Sequence, residues 1–155
     1  MCPSQNSRKR WRASELEPVY IDSNVFFYAR ILDTKYGEAC AKIIENIANG
    51  ELKAVASTLV VLEVANALKK YGLADAVKDE IDAICSLGML LSPVDDVVIR
   101  WAGDIYQKVG ISPYDCVHAA TMRKLGISEI LSADKDFDKI LAIRRIDPKN
   151  YSVRK

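Results

Sequence analysis

The sequence predicts an α/β fold: one domain with a parallel central sheet flanked by helices on both faces, in three layers. Three observations predict it. Short apolar strand runs alternate with helical stretches, the pattern of repeated βαβ units. Those strand runs are apolar continuously rather than at every second residue, as strands covered on both faces are. Finally, 155 residues, half of them hydrophobic and 28% charged, suit a single unit large enough to bury its own core.

Residues 1–17 are polar and without periodicity, and read as a flexible basic arm ahead of a domain spanning 18–155. "PVYIDSN" (18–24) is a β-branched and aromatic run closing on Asp22, a strand followed by a turn. "TKYGEACAKIIENIANG" sets Ala39, Ile43, Ile44 and Ile47 at helical spacing and stops at Gly50. "LKAVAS" is a short strand that runs into the helix "STLVVLEVANALKKYG", with Ser57 or Thr58 as N-cap and Gly72 behind its lysines. A helix fits 74–87, a strand 89–94, and a helix from Asp95 to Val109. Residues 112–126 form a further helix, 128–134 a strand and 141–147 the last strand.

Composition removes several function classes. A formal net charge of +1 gives no overall field toward nucleic acid or membrane, so any attraction to phosphate is local. Four cysteines without a C-x-x-C pair and one histidine argue against a zinc site. They read as reduced thiols, mostly buried, of a cytoplasmic protein. The first residues are basic but precede no apolar stretch, unlike a signal peptide. No apolar run reaches the roughly 18 residues of a membrane span, and no Gly-rich phosphate loop is present.

The acids carry the chemistry. Asp22 falls at a strand end and Asp134 just past another, at the sheet edge where such folds bind ligands. Glu63 interrupts the apolar "LVVLEVANAL", which marks it as buried and in need of a cation, either a distant Arg or a metal. Asn66 lies beside it on that helix. Asp115 is the N3 residue of a helix capped by Ser112 with Pro113 at N1, so it fits a capping box as well as a ligand. Its neighbour His118 reads as a packing residue. In "DKDFD", Asp134, Asp136 and Asp138 follow one another, and at least one reads as merely solvated. Each acid alone is a cap or turn residue as readily as a ligand. Converging, they would repel one another unless divalent ions lay between them, and all-oxygen ligands select Mg²⁺ or Mn²⁺. Such sites serve phosphodiester hydrolysis.

With these motifs in order, residues 18–148 resemble the PIN-domain ribonucleases, especially the VapC-type toxins of toxin–antitoxin pairs. "IDSNVFFYA" is similar to the family's first motif and carries its first acid onto Asp22; "STLVVLEVANAL" carries the second onto Glu63. "ISPYDCVHAATMRKLG" resembles the third motif, an Asp opening a helix with His-Ala-Ala one turn on, and gives Asp115. "ILSADKDFDKI" resembles the last and gives Asp134, with Asp136 beside it. The resemblance implies metal held by Asp22, Glu63, Asp115 and Asp134, with Asn24 and Ser132 orienting ligands, water or phosphate.

The expected function is therefore a divalent-metal-dependent endoribonuclease, as the toxin of a toxin–antitoxin pair. The alternatives are a PIN-like RNA-processing or RNA-decay nuclease, or a non-catalytic domain that binds RNA or protein. A phosphatase with an Asp nucleophile fits poorly, because Asp-Ser-Asn stands where Asp-x-Asp is wanted. In the arm, Arg8, Lys9, Arg10 and Arg12 surround Trp11, a composition suited to phosphate contact and base stacking. The surplus of apolar residues on the helices from 57 to 87 (among them Leu59, Val60, Val61, Leu62, Val64 and Leu68), together with the resemblance, points to a homodimer. The resemblance also implies an antitoxin partner whose Arg would compete with metal for the acids.

Overall fold

A computed structural model describes residues 16–152, so the predicted RNA-contacting residues of the arm, Arg8 to Arg12, lie outside the described residues. Strands β1 (Val19–Ile21), β2 (Ala54–Ser57), β3 (Leu90–Ser92), β4 (Glu129–Leu131) and β5 (Arg144–Ile146) form one sheet. All pairings are parallel, in the order β3-β2-β1-β4-β5. The described helices are α1 (Ser23–Ile31), α2 (Gly37–Ala48), α3 (Thr58–Lys70), α4 (Val77–Cys85), α5 (Asp96–Val109) and α6 (Pro113–Leu125). Parallel crossovers are right-handed. The chain steps from β1 through β2 to β3 in one direction and returns past β1 to β4, so α1–α4 and α5–α6 cover opposite faces. The result is the expected three-layer α/β/α domain.

The central strands explain their apolar sequence. Val19, Tyr20 and Ile21 of β1 and Ala54, Val55 and Ala56 of β2 are all buried, as are Ile130 and Leu131 of β4. The outer strands are less covered, and β5 carries Arg144 and Arg145. Tyr20 pairs with Val55 on one side and Ile130 on the other, which brings the ends of β1 and β4 level. The Asp22 N–H then donates to the Leu131 carbonyl at 3.0 Å.

Three sequence expectations need correction. After β1 comes a helix, α1, and not only a turn: Asp22 is its N-cap, with extended backbone and a carboxylate accepting from the Ser23 N–H at 2.8 Å. Its "VFFYA" shows no apolar period because Val25 and Phe26 are buried while Phe27, Tyr28 and Ala29 also pack on the core. The helix expected at 74–87 begins as a 3₁₀ turn at Ala74–Ala76 before α4. The apolar surplus of α3 is mostly core: Val60, Val61, Val64 and Leu68 are buried and Leu59 packs on α5 and α6, while Leu62 is 64% exposed. Ser57 is the N-cap of α3, but its side chain makes no capping bond. Of the described cysteines, Cys40 and Cys116 are buried free thiols and Cys85 is half-buried.

Candidate active site

The sheet order reverses between β1 and β4, and there the crevice of an open parallel sheet forms, outside the carboxyl ends of the strands. Asp22 leaves β1 at this point and Asp134 follows β4. Asp22 is almost fully buried and is held by a web from the loop after β4. The Ser132 hydroxyl donates to Asp22 Oδ2 at 2.6 Å, and the Asn24 amide donates to the same oxygen at 3.1 Å. Ser132 Oγ accepts from the Asp134 N–H at 3.0 Å, and Asn24 Oδ1 from the Ala133 N–H at 3.3 Å. Asn24 and Ser132 thus fix one acid relative to the other. Burial raises the Asp22 pKa, against the opposing pull of His118 and of these hydrogen bonds.

Glu63 projects from α3 and is only half-buried, its side chain 25% exposed. The outer stripe of α3, Thr58, Leu62 and Asn66, is exposed. The helix is therefore not apolar all round, and Asn66 does not accompany Glu63 inward. Its partner is neither an Arg nor a packing contact but His118, whose Nε2 lies 2.5 Å from Glu63 Oε1 and 4.0 Å from Asp22 Oδ1. His118 is fully buried and bonded at both nitrogens, with Nδ1 2.7 Å from the Tyr20 hydroxyl. That hydroxyl accepts from the Ser57 N–H at 3.1 Å, which leaves its hydrogen for Nδ1 and makes Nε2 the donor to Glu63 in the neutral ring. Burial works against a charged His118, but the bond to Glu63 and the charges of Asp22, Glu63 and Asp115 outweigh it and raise its pKa. The missed signal was the only histidine of the chain, three residues after Asp115 and so on the same face of α6.

Asp115 opens α6 behind the Ser112 cap, whose hydroxyl accepts from the Tyr114 N–H at 3.3 Å. Its carboxyl lies within hydrogen-bonding reach of Asp134, and burial, then the charges of Asp22 and Asp134, push its pKa up to about 7. Asp134 caps the 3₁₀ turn Lys135–Lys139 by accepting from the Asp136 N–H at 2.9 Å. Asp136 meets Lys139 at 3.1 Å. Asp138, in the stretch expected to contain a merely solvated acid, instead takes a two-pronged contact from Arg145 at 3.0 and 3.2 Å.

Two groups of potential ligand atoms result, Asp22/Glu63/His118 and Asp115/Asp134/Asp136, each with its atoms within 4.8 Å of one another. Asp22 couples them, since it faces His118 and raises Asp115. Caps and cluster are not alternatives, because a carboxylate has about four acceptor positions and a capping bond uses one. The donor set fits a hard divalent cation: carboxylate oxygens crowded enough to hold a proton at Asp115 would release it to such an ion.

The chain belongs to the PIN domain family, whose model matches residues 19–142. Solved structures of similar fold include a VapC toxin, VapBC complexes and a further toxin–antitoxin complex. The Sarcin-Ricin loop cleaving toxin VapC20 of Mycobacterium tuberculosis has a TM-score of 0.67 at 18% identity, covering 77% of this chain and 92% of that one. VapBC2 from Rickettsia felis, bound to a DNA fragment from its promoter, gives 0.64 at 13% identity, with 83% and 97% covered. A toxin–antitoxin complex from Klebsiella pneumoniae gives 0.57 at 14%, with 84% and 97% covered. The sequence matches none of the curated proteins.

Proposed function

We propose that this chain is a divalent-metal-dependent endoribonuclease, the toxin of a toxin–antitoxin pair, with Asp22, Glu63, Asp115 and Asp134 as its catalytic acids. The observation that carries the reading is the crowding of Asp22, Asp115 and Asp134 at one sheet edge, where burial and then the charges of its neighbours push Asp115 up to about 7. Such an arrangement costs stability unless a cation relieves it. Membership of the PIN family and the likeness to an RNA-cleaving toxin support RNA as the substrate.

Mg²⁺ or Mn²⁺ held by Asp22, Asp115 and Asp134 would polarise the scissile phosphate and acidify a water. Ser132 and Asn24 keep Asp22 turned toward that position, and the Asp134 N–H ties Ser132 in turn. His118, fixed by Tyr20, holds Glu63 beside Asp22. Asp136 supports the loop rather than leading it, because Lys139 already offsets its charge.

The similar toxin–antitoxin complexes support an antitoxin partner, whose Arg would displace the cation from the acids. The exposed Leu62 and Tyr71 of the α3 region, 64% and 60% accessible, support a homodimer. A labelled single-stranded RNA incubated with the protein tests the central reading. We expect cleavage in Mg²⁺ or Mn²⁺, none in EDTA, and a loss of at least about a hundredfold in Asp22→Asn, from a particle that scatters light as a dimer. Cleavage that persists in EDTA or in the variant would refute the assignment, and a monomer would refute the dimer.

A further inference from the structure

Beside the acids lies a cluster that the proposed chemistry does not use. The Tyr28 and Tyr36 rings stack with centroids 5.3 Å apart and planes 10° from parallel. Lys35 Nζ and Lys149 Nζ stand 5.3 and 5.2 Å from the Tyr36 ring centre. The cluster is anchored from beneath, because the Tyr36 hydroxyl donates to Asp147 Oδ2 at 3.1 Å. Asp147 follows β5 directly, so it sits at the same carboxyl edge of the sheet as Asp22 and Asp134. Tyr28, on the helix that Asp22 caps, links the cluster to the acids. Burial raises its hydroxyl pKa, and Asp33, Cys40, Asp134 and Asp22 all add to the rise.

The two ammonium groups are available. Both lysines are exposed, and among the described residues neither joins an ion pair. The nearby acids are already engaged. Asp33 accepts from the N–H groups of Lys35 and Tyr36 at 3.0 and 2.8 Å, and Asp147 accepts from the Lys149 N–H at 2.9 Å besides the Tyr36 hydroxyl. An exposed lysine is held over a ring only weakly, so either one can turn to a phosphate. Both also line a groove of about 1070 Å³ between α2 and the segment after β5. Of the other residues lining it, Lys42 is offset by Glu45 at 3.4 Å, which leaves the positive charge of Lys35 and Lys149, beside Tyr36, without such an offset.

Aromatic rings next to mobile cations are the arrangement that holds unpaired nucleotides, the base stacking and the phosphate meeting a lysine. We infer that Tyr28, Tyr36, Lys35 and Lys149 form a subsite for one unpaired nucleotide of single-stranded RNA, next to the phosphodiester presented to the acids. The inference rests on the ribonuclease reading and adds what that reading lacks, a basis for preferring single strands. Bases stacked inside a duplex have no free face to offer.

Fluorescence anisotropy with a labelled single-stranded RNA of about twelve nucleotides tests it, in an Asp115→Asn background that prevents cleavage and lessens repulsion. Tyr36→Ala should weaken binding about tenfold. Tyr36→Phe, which keeps the ring and loses the anchoring bond to Asp147, should bind more tightly than Tyr36→Ala. Lys35→Ala and Lys149→Ala should each lower the slope of log affinity against log salt by about 0.7. Both lysines are exposed, so their slopes can be read even if Tyr36→Ala fails to fold. The same sequence as a duplex should not respond to Tyr36. Unchanged affinity and slopes would overturn the subsite and leave this face to a protein partner, and RNA that does not bind at micromolar concentration would overturn it too. The two readings fail separately: RNA left uncut by the wild type in Mg²⁺ and Mn²⁺ refutes the nuclease, whereas RNA that is cut but binds all variants equally refutes only the subsite.

Discussion

The fold resists charging Asp115. Its pKa of about 7 in the folded chain compares with about 4 for an unperturbed aspartate. A carboxyl raised on folding favours the folded state while protonated, so stability is lost as pH rises from about 4 to beyond 7. His118, also raised, contributes stability that is fully present below its unfolded pKa and lost as pH rises through the folded one. Both push in the same direction, and a substitution separates them. Without metal, Asp115→Asn should melt a few degrees above the wild type at pH 8, about 3 °C per kcal/mol recovered, with the gap closing toward pH 4. A variant that melts below the wild type at pH 8 would mean that Asp115 is a stabilising cap. At this scale the sequence was readable where one residue sufficed: an Asp after an apolar strand, an Asp behind Ser-Pro. Glu63 was readable only as needing a cation. That its partner is His118, 55 positions away and held by Tyr20, is a property of the fold, not of local spacing.

Most elements were legible from their apolar runs and end residues, including α6, although Cys116–Met122 are all buried. α5 shows both cases of capping logic: Asp95 accepts from the Val98 N–H at 2.9 Å, as an N-cap does, and Lys124 of α6 holds the same carboxylate and lowers its pKa. By contrast α1 has no visible period because the core meets most of its surface. The loop after β4 depends on a contact no motif announces. Arg145 of β5, its side chain 11% exposed, spans Asp138 and Asp147 and donates to the Ser132 carbonyl at 3.0 Å. Ser132 in turn donates to Asp22. Arg145→Ala leaves these acceptors without their cation, at a cost of about 2–3 kcal/mol. It should lower the melting temperature by about 4–12 °C and weaken metal binding through Ser132. A melting temperature within a degree of the wild type would show that the loop holds itself.

At the scale of the whole molecule, the alternation of strands and helices determines the sheet, and the sheet determines where acids from distant parts of the chain can meet. β1 and β4 are neighbours although more than a hundred residues separate them, and their carboxyl ends deliver Asp22 and Asp134 to one crevice. On the function proposed above, these acids form one cation site. Calorimetric titration of Mn²⁺ into metal-free protein at about neutral pH tests it most directly, with wild type and Asp22→Asn compared at equal folded fraction. The wild type should bind saturably, with protons released as Asp115 ionises, and the variant at least about tenfold more weakly. Binding of equal strength in both proteins, or none in the wild type, would contradict it.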